Sequence, residues 1–132
     1  MKKQGFAAVI LSLFLGLVLF NRPAADSVES IKITPEEAKA IMDSSEKHVL
    51  LDVRTKEEFA AGHIEGALLI PHTEIQRRAF RELEDNEAII LVYCQSGRRS
   101  AIVVEELARM GYRHVYDFGS INTWPYGTVS DK

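Results

Sequence analysis

Short apolar runs alternate with helix-start signals along this chain, and that alternation limits its fold more than any other feature. Segments with helical periodicity lie between consecutive apolar runs, so the chain crosses over after each predicted strand. Strands joined by helical crossovers form parallel sheets with helices on both faces. We therefore predict a three-layer α/β domain with a central parallel sheet flanked by helices. The strand-like runs occupy residues 28–33, 48–53, 67–70, 89–93 and 114–117.

Two of the predicted helices begin with the same four-residue pattern, Thr-x-x-Glu, at residues 34–37 and 55–58. Such a capping box satisfies free backbone amides in the first turn of a helix. The first helix is expected to run to Met42, and Gly62 is expected to end the second. Periodicity predicts two further helices, over residues 73–83 and 100–110.

Residues 1–25 have the pattern of a targeting segment, and residues 26–132 have the length of a single domain. Two lysines precede an apolar or small stretch at residues 5–20, which indicates a signal peptide or an N-terminal membrane anchor. A small-residue cleavage site exists at Ala24-Ala25, but no small residue stands three positions before the cut. Cleavage and retention of this segment therefore both stay open, and we expect an exported protein.

The overall charge excludes some functions. The chain carries a net charge of −3, and its first 25 residues hold three basic and no acidic side chains, so the remainder is at −6. The acidic charge of residues 26–132 argues against general nucleic-acid binding.

One cysteine permits no internal disulfide and no second thiol for dithiol exchange. We expect no metal site, because the histidines are scattered: His48, His63, His72 and His114.

The single cysteine, Cys94, follows a predicted strand and precedes a predicted helix. In open α/β sheets, ligands bind beyond the carboxyl ends of the strands. The helix dipole, the first-turn amides and two nearby arginines all favour negative charge at this position. We therefore expect Cys94 to be a reactive thiolate, the catalytic nucleophile, that accepts anionic partners. Its polar neighbours argue against burial in an apolar core.

Residues 95–99, called the cysteine loop below, are the candidate substrate-binding residues. Their amides are expected to face an anion, and Gly97 permits a tight curl. The forked donors of the arginines suit oxyanions, although the sequence leaves open which of them faces the substrate. Ser100 is expected either to cap the following helix or to touch the substrate. The loop consists of Gln95, Ser96, Gly97, Arg98 and Arg99.

Asp52 and Arg54 follow the carboxyl end of another predicted strand, so they are expected to border the same crevice. We predict that they support the cysteine loop, because a bare carboxylate beside a thiolate disfavours its charge. Glu58 is expected to form an ion pair, and Phe59 and Trp124 are expected to pack.

Three motifs, in order and spacing, resemble those of rhodanese domains over about residues 30–126. Residues 52–67 follow the pattern D-V-R-x-x-x-E-F-x-x-G-H-I-x-G-A, and residues 93–100 resemble the active-site loop of these domains. Residues 119–124 are similar to their C-proximal G-G-x-x-x-W element, with Ser120 in place of the second glycine. Because serine resists positive φ, we expect the turn there to differ slightly, outside the cysteine loop.

The resemblance implies a sulfurtransferase like the small, single-domain periplasmic ones. Such an enzyme takes sulfane sulfur from thiosulfate, carries it as a persulfide on Cys94, and passes it to a thiophilic acceptor such as cyanide or a thiol. It implies no metal or organic cofactor. The acidic charge predicts no nucleic-acid partner, and the N-terminal segment predicts membrane contact only if it stays uncleaved. The expected location is the periplasm, or the periplasmic face of the inner membrane.

Two other functions stay open. A related phosphatase or arsenate reductase has arginine at the sixth position after its cysteine, whereas here Arg99 is fifth and Ser100 is sixth. A non-catalytic binding module of the rhodanese type typically lacks the cysteine, which this chain keeps.

Overall fold

The computed structural model describes residues 31–131, and these form one five-stranded sheet with helices on both of its faces. The predicted leader, residues 1–25, lies outside the described residues, as does the first half of the strand predicted at residues 28–33. The strands are β1 (Ile31–Lys32), β2 (His48–Asp52), β3 (Leu68–Leu69), β4 (Ile89–Cys94) and β5 (His114–Ser120).

Four α-helices connect these strands, and no helix within residues 31–131 is both long and apolar enough to cross a bilayer. A 3₁₀ turn at His72–Glu74 precedes the third helix, and another at Ile121–Thr123 follows β5. The helices are α1 (Pro35–Met42), α2 (Lys56–Ala61), α3 (Ile75–Glu82) and α4 (Arg98–Arg109).

The strands are all parallel, in the order β1-β5-β4-β2-β3, so the predicted parallel sheet is confirmed. Alternation along β4 builds two separate cores. Ile90, Val92 and Cys94 pack with residues of α3 and α4, whereas Leu91 and Tyr93 pack on the other face with α1. The three-layer architecture is therefore confirmed, and the same alternation aims Cys94 at the helix that follows it.

Both predicted capping boxes are present. In each, the threonine hydroxyl accepts a hydrogen bond from the glutamate N–H, and the glutamate side chain accepts one from the threonine N–H, at 3.0–3.1 Å. The first helix ends at Met42 as expected, and Gly62 follows the last residue of α2. These caps fix where α2 begins after β2, and so position the side chains at its start.

The largest difference from the sequence-based prediction is at β5, which extends past Asp117 to Ser120. The pairing of β4 with β5 shifts register there: Val92 lies opposite Asp117, but Tyr93 lies opposite Gly119. This bulge leaves one extra residue in β5, and Gly119 adopts a positive φ of 86° within it. The bulge sets Ser120 directly beside Cys94.

The order of the strands also creates a crevice. β2 pairs with β3 on one side and with β4 on the other, and the chain continues from β4 to β5 away from β2. The loops after β2 and β4 therefore leave the sheet toward opposite faces, which is the topological switch point where α/β sheets bind ligands. Asp52 ends β2 and Cys94 ends β4 at this point.

Candidate active site

The Cys94 sulfur lies beneath the N-terminus of α4. The side chain is fully buried, at 0% exposure, so the expectation that polar neighbours keep it out of the core is wrong. It is buried because position 94 shares the face of β4 that α4 covers. The Sγ nevertheless has polar contacts: the Gly97 N–H donates to it at 3.0 Å and the Ser100 N–H at 3.4 Å. Amides in this arrangement stabilise negative charge on sulfur.

Gly97 makes the curl of the cysteine loop possible. Its φ of 93° lies in the left-handed region, and it is the N-cap residue of α4. A side chain at this position is strained by its backbone conformation alone, and a Cβ would lie 3.8 Å from the Cα of Gly119. The predicted need for glycine is therefore confirmed.

Ser100 lies in the first turn of α4, because that helix begins at Arg98, two residues earlier than predicted. The serine is consequently not the helix cap. Its hydroxyl donates to the Gly97 carbonyl at 3.0 Å and lies 3.5 Å from the Cys94 sulfur. Ser100 thus donates its amide hydrogen to the sulfur, while its hydroxyl oxygen, whose hydrogen is donated to Gly97, accepts a hydrogen bond from the Cys94 thiol.

Asp52 and Arg54 form a buried ion pair next to the loop. Their side chains are 0% and 3% exposed, and the Arg54 Nη2 lies 2.8 Å from Asp52 Oδ2. Arg54 also donates to the Gln95 side-chain oxygen at 2.9 Å and to the Gly62 carbonyl at 2.6 Å. This pair therefore supports the cysteine loop through Gln95, as predicted from the sequence.

Two pKa shifts accompany this buried pair. Burial alone lowers the pKa of Arg54, but the hydrogen bonds to Asp52 and the charge of that carboxylate outweigh it, so the pKa is raised. Burial raises the pKa of the nearby Tyr93 hydroxyl, and Asp52 adds to the increase. That hydroxyl accepts a hydrogen bond from the Ile64 N–H at 3.1 Å. Tyr93 is therefore a neutral structural group that fixes the chain after α2.

Arg99 forms a two-pronged ion pair with Glu58, at 2.7 and 2.8 Å. Glu58 is also part of the capping box of α2, so one carboxylate joins the start of α2 to the start of α4. The bonds from Arg99 lower the pKa of Glu58 to about 2, despite an opposing effect of burial. The pKa of Arg99 is raised, first by the bonds to Glu58, with a smaller contribution from the charge of Cys94. The ion pair predicted for Glu58 is confirmed.

Arg98 has a different environment from its neighbour. Its side chain is exposed and lines a groove of about 590 Å³ on the β1 side of the loop, together with Lys32 and Ser96. Within residues 31–131 it makes no ion pair. The structure thus separates the two arginines: Arg99 lies against Glu58 near the sulfur, and Arg98 lies at an open rim.

Ser120 and Asn122 hold the loop from the β5 side, and the sequence reasoning missed both roles. The Ser120 hydroxyl and the Asn122 side-chain amide both donate to the Gln95 carbonyl, the second at 3.2 Å. Ser120 has an extended backbone, with φ of −102°, so no strain arises there. It lies outside the cysteine loop, as expected, but its side chain contacts that loop at Gln95. The sequence feature that could have revealed the role of Ser120 was the serine itself, which replaces the second glycine of the G-G-x-x-x-W element.

An open cleft of about 450 Å³ lies at the switch point, on the α2 side of the loop. Arg54 and Gln95 line it from the sheet, Ala61 from the end of α2, and Asn122 from the turn after β5. Its outer wall includes Thr128, which belongs to the C-terminal tail. The site therefore combines a buried sulfur that accepts two amide hydrogen bonds with a solvent-accessible cleft that touches the cysteine loop at Gln95.

Comparison with known proteins identifies a matching family and several relatives of this chain. A family model described as a rhodanese-like domain matches residues 34–125. The chain is 37% identical over 71 residues to thiosulfate sulfurtransferase PspE of Escherichia coli, covering 54% of this chain and 68% of that protein. It is 37% identical over 93 residues to the putative sulfur carrier protein YrkF of Bacillus subtilis, covering 70% of this chain and about half (49%) of that protein.

Solved structures share the architecture as well. A rhodanese with anions from E. coli is similar at a TM-score of 0.60 and 32% identity, covering 63% of this chain and 98% of that one. The matched family segment ends at position 125, so the tail that supplies Thr128 lies beyond it.

Proposed function

This chain belongs to the rhodanese-like domain family, and from that premise we propose that it moves the sulfane sulfur of thiosulfate to a thiophilic acceptor through a persulfide on Cys94. The similarity to thiosulfate sulfurtransferase PspE supports sulfur transfer as the class of reaction. The observation that carries the proposal is the buried Cys94 sulfur, which accepts hydrogen bonds from the Gly97 and Ser100 amides at the start of α4.

In the first half-reaction, the Cys94 thiolate attacks the outer sulfur of thiosulfate. A Cys94–sulfur bond forms, the sulfur–sulfur bond of thiosulfate breaks, and sulfite leaves with the bonding electron pair. Thiolate and thiosulfate repel each other, and the amides around the sulfur together with Arg99 offset that repulsion. The same amides then stabilise the charge of the persulfide. No metal or organic cofactor takes part in this step.

In the second half-reaction, an acceptor nucleophile attacks the outer sulfur of the persulfide. Cyanide leaves as thiocyanate, or a thiolate leaves as its own persulfide, and Cys94 returns to the thiolate form. Charge balances in both cases, because one anion enters and one anion departs. Cyanide and a thiolate can thus both serve as acceptors, and because each attacks as an anion, the chemistry needs no general base.

The two arginines take separate parts in this proposal. Arg99, fixed by Glu58, provides a constant positive charge close to Cys94. Arg98, exposed at the rim, attracts the dianionic donor from solution. Arg54 acts through Gln95, because four of its five N–H donors are engaged by Asp52, Gly62 and Gln95.

The rival readings receive less support. The sulfur accepts hydrogen bonds from two amides that lie three and six residues after the cysteine, in a short loop that suits a single sulfane sulfur better than an enclosed tetrahedral oxyanion. Arg99, at the fifth position after the cysteine, is engaged by Glu58, whereas the phosphatase signature requires arginine at the sixth position. A purely binding role does not explain why two backbone amides donate hydrogen bonds to the Cys94 sulfur.

We also propose export for this protein. The basic start and the apolar stretch at residues 5–20 support a signal peptide or anchor, which places the domain in the periplasm or on the periplasmic face of the inner membrane. Fractionation of cells expressing the full chain tests this: protein found only in the cytoplasmic fraction rejects export.

The activity is tested by thiocyanate formation from thiosulfate and cyanide. The purified protein should catalyse it, and Cys94→Ser should lose it entirely while retaining the folded circular dichroism spectrum. A serine hydroxyl is neutral at the assay pH and a poor nucleophile for sulfur. Thiocyanate formation by the folded serine variant contradicts the assignment of the nucleophile.

A further inference from the structure

The C-terminal tail, residues 126–131, is held against the end of α2 by its backbone. It follows the matched family segment, which ends at position 125, and all of its residues are exposed. Val129 and His63 exchange two backbone hydrogen bonds of 2.8 Å, and the Asp131 N–H donates to the Ala60 carbonyl at 3.1 Å. Because exposed residues bury little apolar surface, the position of the tail depends largely on these backbone hydrogen bonds.

One peptide group connects the tail to the active site. The His63 N–H donates to the Val129 carbonyl at 2.8 Å, and the Gly62 carbonyl of the same peptide accepts from the Arg54 Nη2 at 2.6 Å. The N–H and C=O of a trans peptide lie in one rigid plane and point in opposite directions. A tail that fixes this N–H therefore also fixes the direction of the carbonyl that Arg54 contacts.

The guanidinium plane of Arg54 is fixed by two partners. Asp52 accepts from its Nε at 3.1 Å and from its Nη2 at 2.8 Å, and the Gly62 carbonyl accepts from Nη2 as well. A rotation that moved the Nη1 donor away from Gln95 would also break the bond to Gly62. The tail opposes that rotation, because it holds the peptide to which the Gly62 carbonyl belongs.

The side chain of Arg54 carries this constraint into the cysteine loop. Its Nη1 donates to the Gln95 side-chain oxygen at 2.9 Å. The Gln95 side chain donates to Asn122 Oδ1 at 3.1 Å, and the Asn122 side chain donates to the Gln95 carbonyl at 3.2 Å. We call this series of hydrogen bonds, from the Val129 carbonyl to Gln95, the relay. Hydrogen bonds linked in this way polarise and strengthen one another.

We propose that the tail is a positioning element of the active site, in which the backbone of Val129 sets the orientation of Arg54 and thereby the geometry of the cysteine loop. Its effect on sulfur transfer rests on the proposed function. Val129 does not contact the substrate, and it acts through the His63 amide, Arg54 and Gln95. The role belongs to the backbone, so a change of the Val129 side chain should matter little.

The first test removes one bond of the pair between the tail and His63 in the full-length protein. Val129→Pro deletes the N–H that donates to His63, so the rate of thiocyanate formation at saturating thiosulfate should fall about fivefold. Val129→Ala keeps both backbone bonds and should restore the rate. Ser130→Pro is the matched control, because the Ser130 N–H makes no hydrogen bond within residues 31–131.

A milder variant acts on the acceptor atom of the relay. Replacing Ser130 by the corresponding α-hydroxy acid turns the Val129 carbonyl into an ester carbonyl, which is a weaker hydrogen-bond acceptor. The side chain of Ser130 stays, and the lost N–H had no partner in the described part of the chain. The rate should fall about twofold. This variant decides the matter if the proline variant does not fold.

A double-mutant cycle distinguishes positioning from a purely structural role. The relay ends at Gln95, so Val129→Pro should lower the rate by less than about twofold in protein that already carries Gln95→Ala. The loss of stability caused by the proline should be the same in both backgrounds, because it arises where the tail meets His63. A rate that falls fivefold in both backgrounds means that the tail only stabilises the fold, and the proposal is wrong.

A second measurement does not depend on sulfur transfer. The guanidinium protons of the buried Arg54 exchange with water, and nitrogen-15 NMR follows that exchange. Exchange should become about fivefold faster in Val129→Pro and stay at wild type in Ser130→Pro. If wild-type protein forms no thiocyanate, the proposed function is wrong, and this exchange still tests the relay. If the folded proline variant, or the ester variant in its place, keeps the wild-type rate or the wild-type exchange, the positioning role is wrong.

Discussion

The two flanks of the cysteine loop differ in what their charges do. On the α2 flank, Arg54 and Arg99 are each held by a carboxylate, one fully buried and one partly buried. On the β1 flank, Arg98 and Lys32 are exposed and make no ion pair within the part of the chain that the structure describes. Arg98 and Arg99 are adjacent in sequence, but Arg99 is paired with a carboxylate and Arg98 is exposed to solvent.

This difference indicates that an arginine near a reactive cysteine can have two distinct roles. A paired arginine fixes the shape of the loop, and its effect depends on burial and geometry more than on salt. An exposed arginine contributes to the encounter with an anion, and dissolved salt screens that contribution. The following variants should separate the two uses.

The largest effect is expected at the buried pair. Asp52→Asn leaves the buried Arg54 guanidinium without its counter-charge, so the free energy of unfolding should fall by about 3 kcal/mol or more. Sulfur transfer should fall with it, because Gln95 loses its fixed partner. Chemical denaturation measures the loss. Glu105→Gln, in an exposed pair with Arg109, is the control and should cost less than about 0.5 kcal/mol. If both variants lose a similarly small free energy of unfolding, the proposed difference between buried and exposed ion pairs is wrong.

A smaller effect is expected at Glu58. Glu58→Gln keeps the cap of α2 but removes the charge that holds Arg99, so unfolding should become easier by about 1 kcal/mol. The kcat/KM for thiosulfate should fall about tenfold, because Arg99 is no longer held near the sulfur. The adjacent Glu57, exposed on the same helix, provides the control variant Glu57→Gln, for which both values should stay at wild type.

The pH dependence of this pair has a definite sign. Folding depresses the pKa of Glu58 from 4.5 to about 2, so the pair stabilises the fold fully above pH 4.5 and loses this effect as the pH falls toward 2. The stability difference between wild type and Glu58→Gln should therefore be constant from about pH 8 to about pH 5 and shrink only in stronger acid. A difference that already disappears near neutral pH means that Arg99 does not hold Glu58 ionised.

The β5 side of the loop should show a more modest effect. Ser120→Ala removes the hydroxyl that donates to the Gln95 carbonyl and accepts from the Asn122 N–H, at a cost of about 1 kcal/mol in unfolding. The kcat for thiosulfate should fall, while Ser120→Thr, which keeps the hydroxyl in an extended backbone, should restore it. If threonine fails to restore a rate lost in alanine, the hydrogen bond is not the cause.

The smallest effect is expected at the exposed rim. Arg98→Ala should raise KM for thiosulfate about two- to fivefold at low salt, with kcat and stability unchanged, and the increase should vanish at high salt. Arg99→Ala should instead lower kcat at both salt concentrations. Steady-state kinetics at two ionic strengths decide the matter. The opposite pattern for the two variants assigns their roles the other way round.

Much of the fold follows from the sequence because its signals are local. The capping boxes at Thr34 and Thr55 specify helix starts directly, and the run before Cys94 specifies a strand that ends at the site. The burial of Cys94 escaped prediction because it depends on which face of β4 the helix α4 covers, a tertiary fact.

The contacts around the loop were predictable only in part. The Asp52–Arg54 support follows from two residues at a strand end, but the partner of Arg99 depends on the distance between α2 and α4, which are far apart in sequence. Ser120 reaches Gln95 only because a bulge lengthens β5. Such a register shift produces no periodic pattern of residues in the sequence that could predict it. The leader at residues 1–25 stays a prediction, since it lies outside the described residues.

The central claim is that Cys94 carries the transferred sulfur, and intact-protein and peptide mass measurement after exposure to thiosulfate tests it most directly. The account predicts a gain of one sulfur atom, located on the peptide containing Cys94, that disappears when cyanide or a thiol is added. Cys94→Ser should show no gain. A folded wild-type protein that gains no sulfur, or gains it on a peptide without Cys94, contradicts the account.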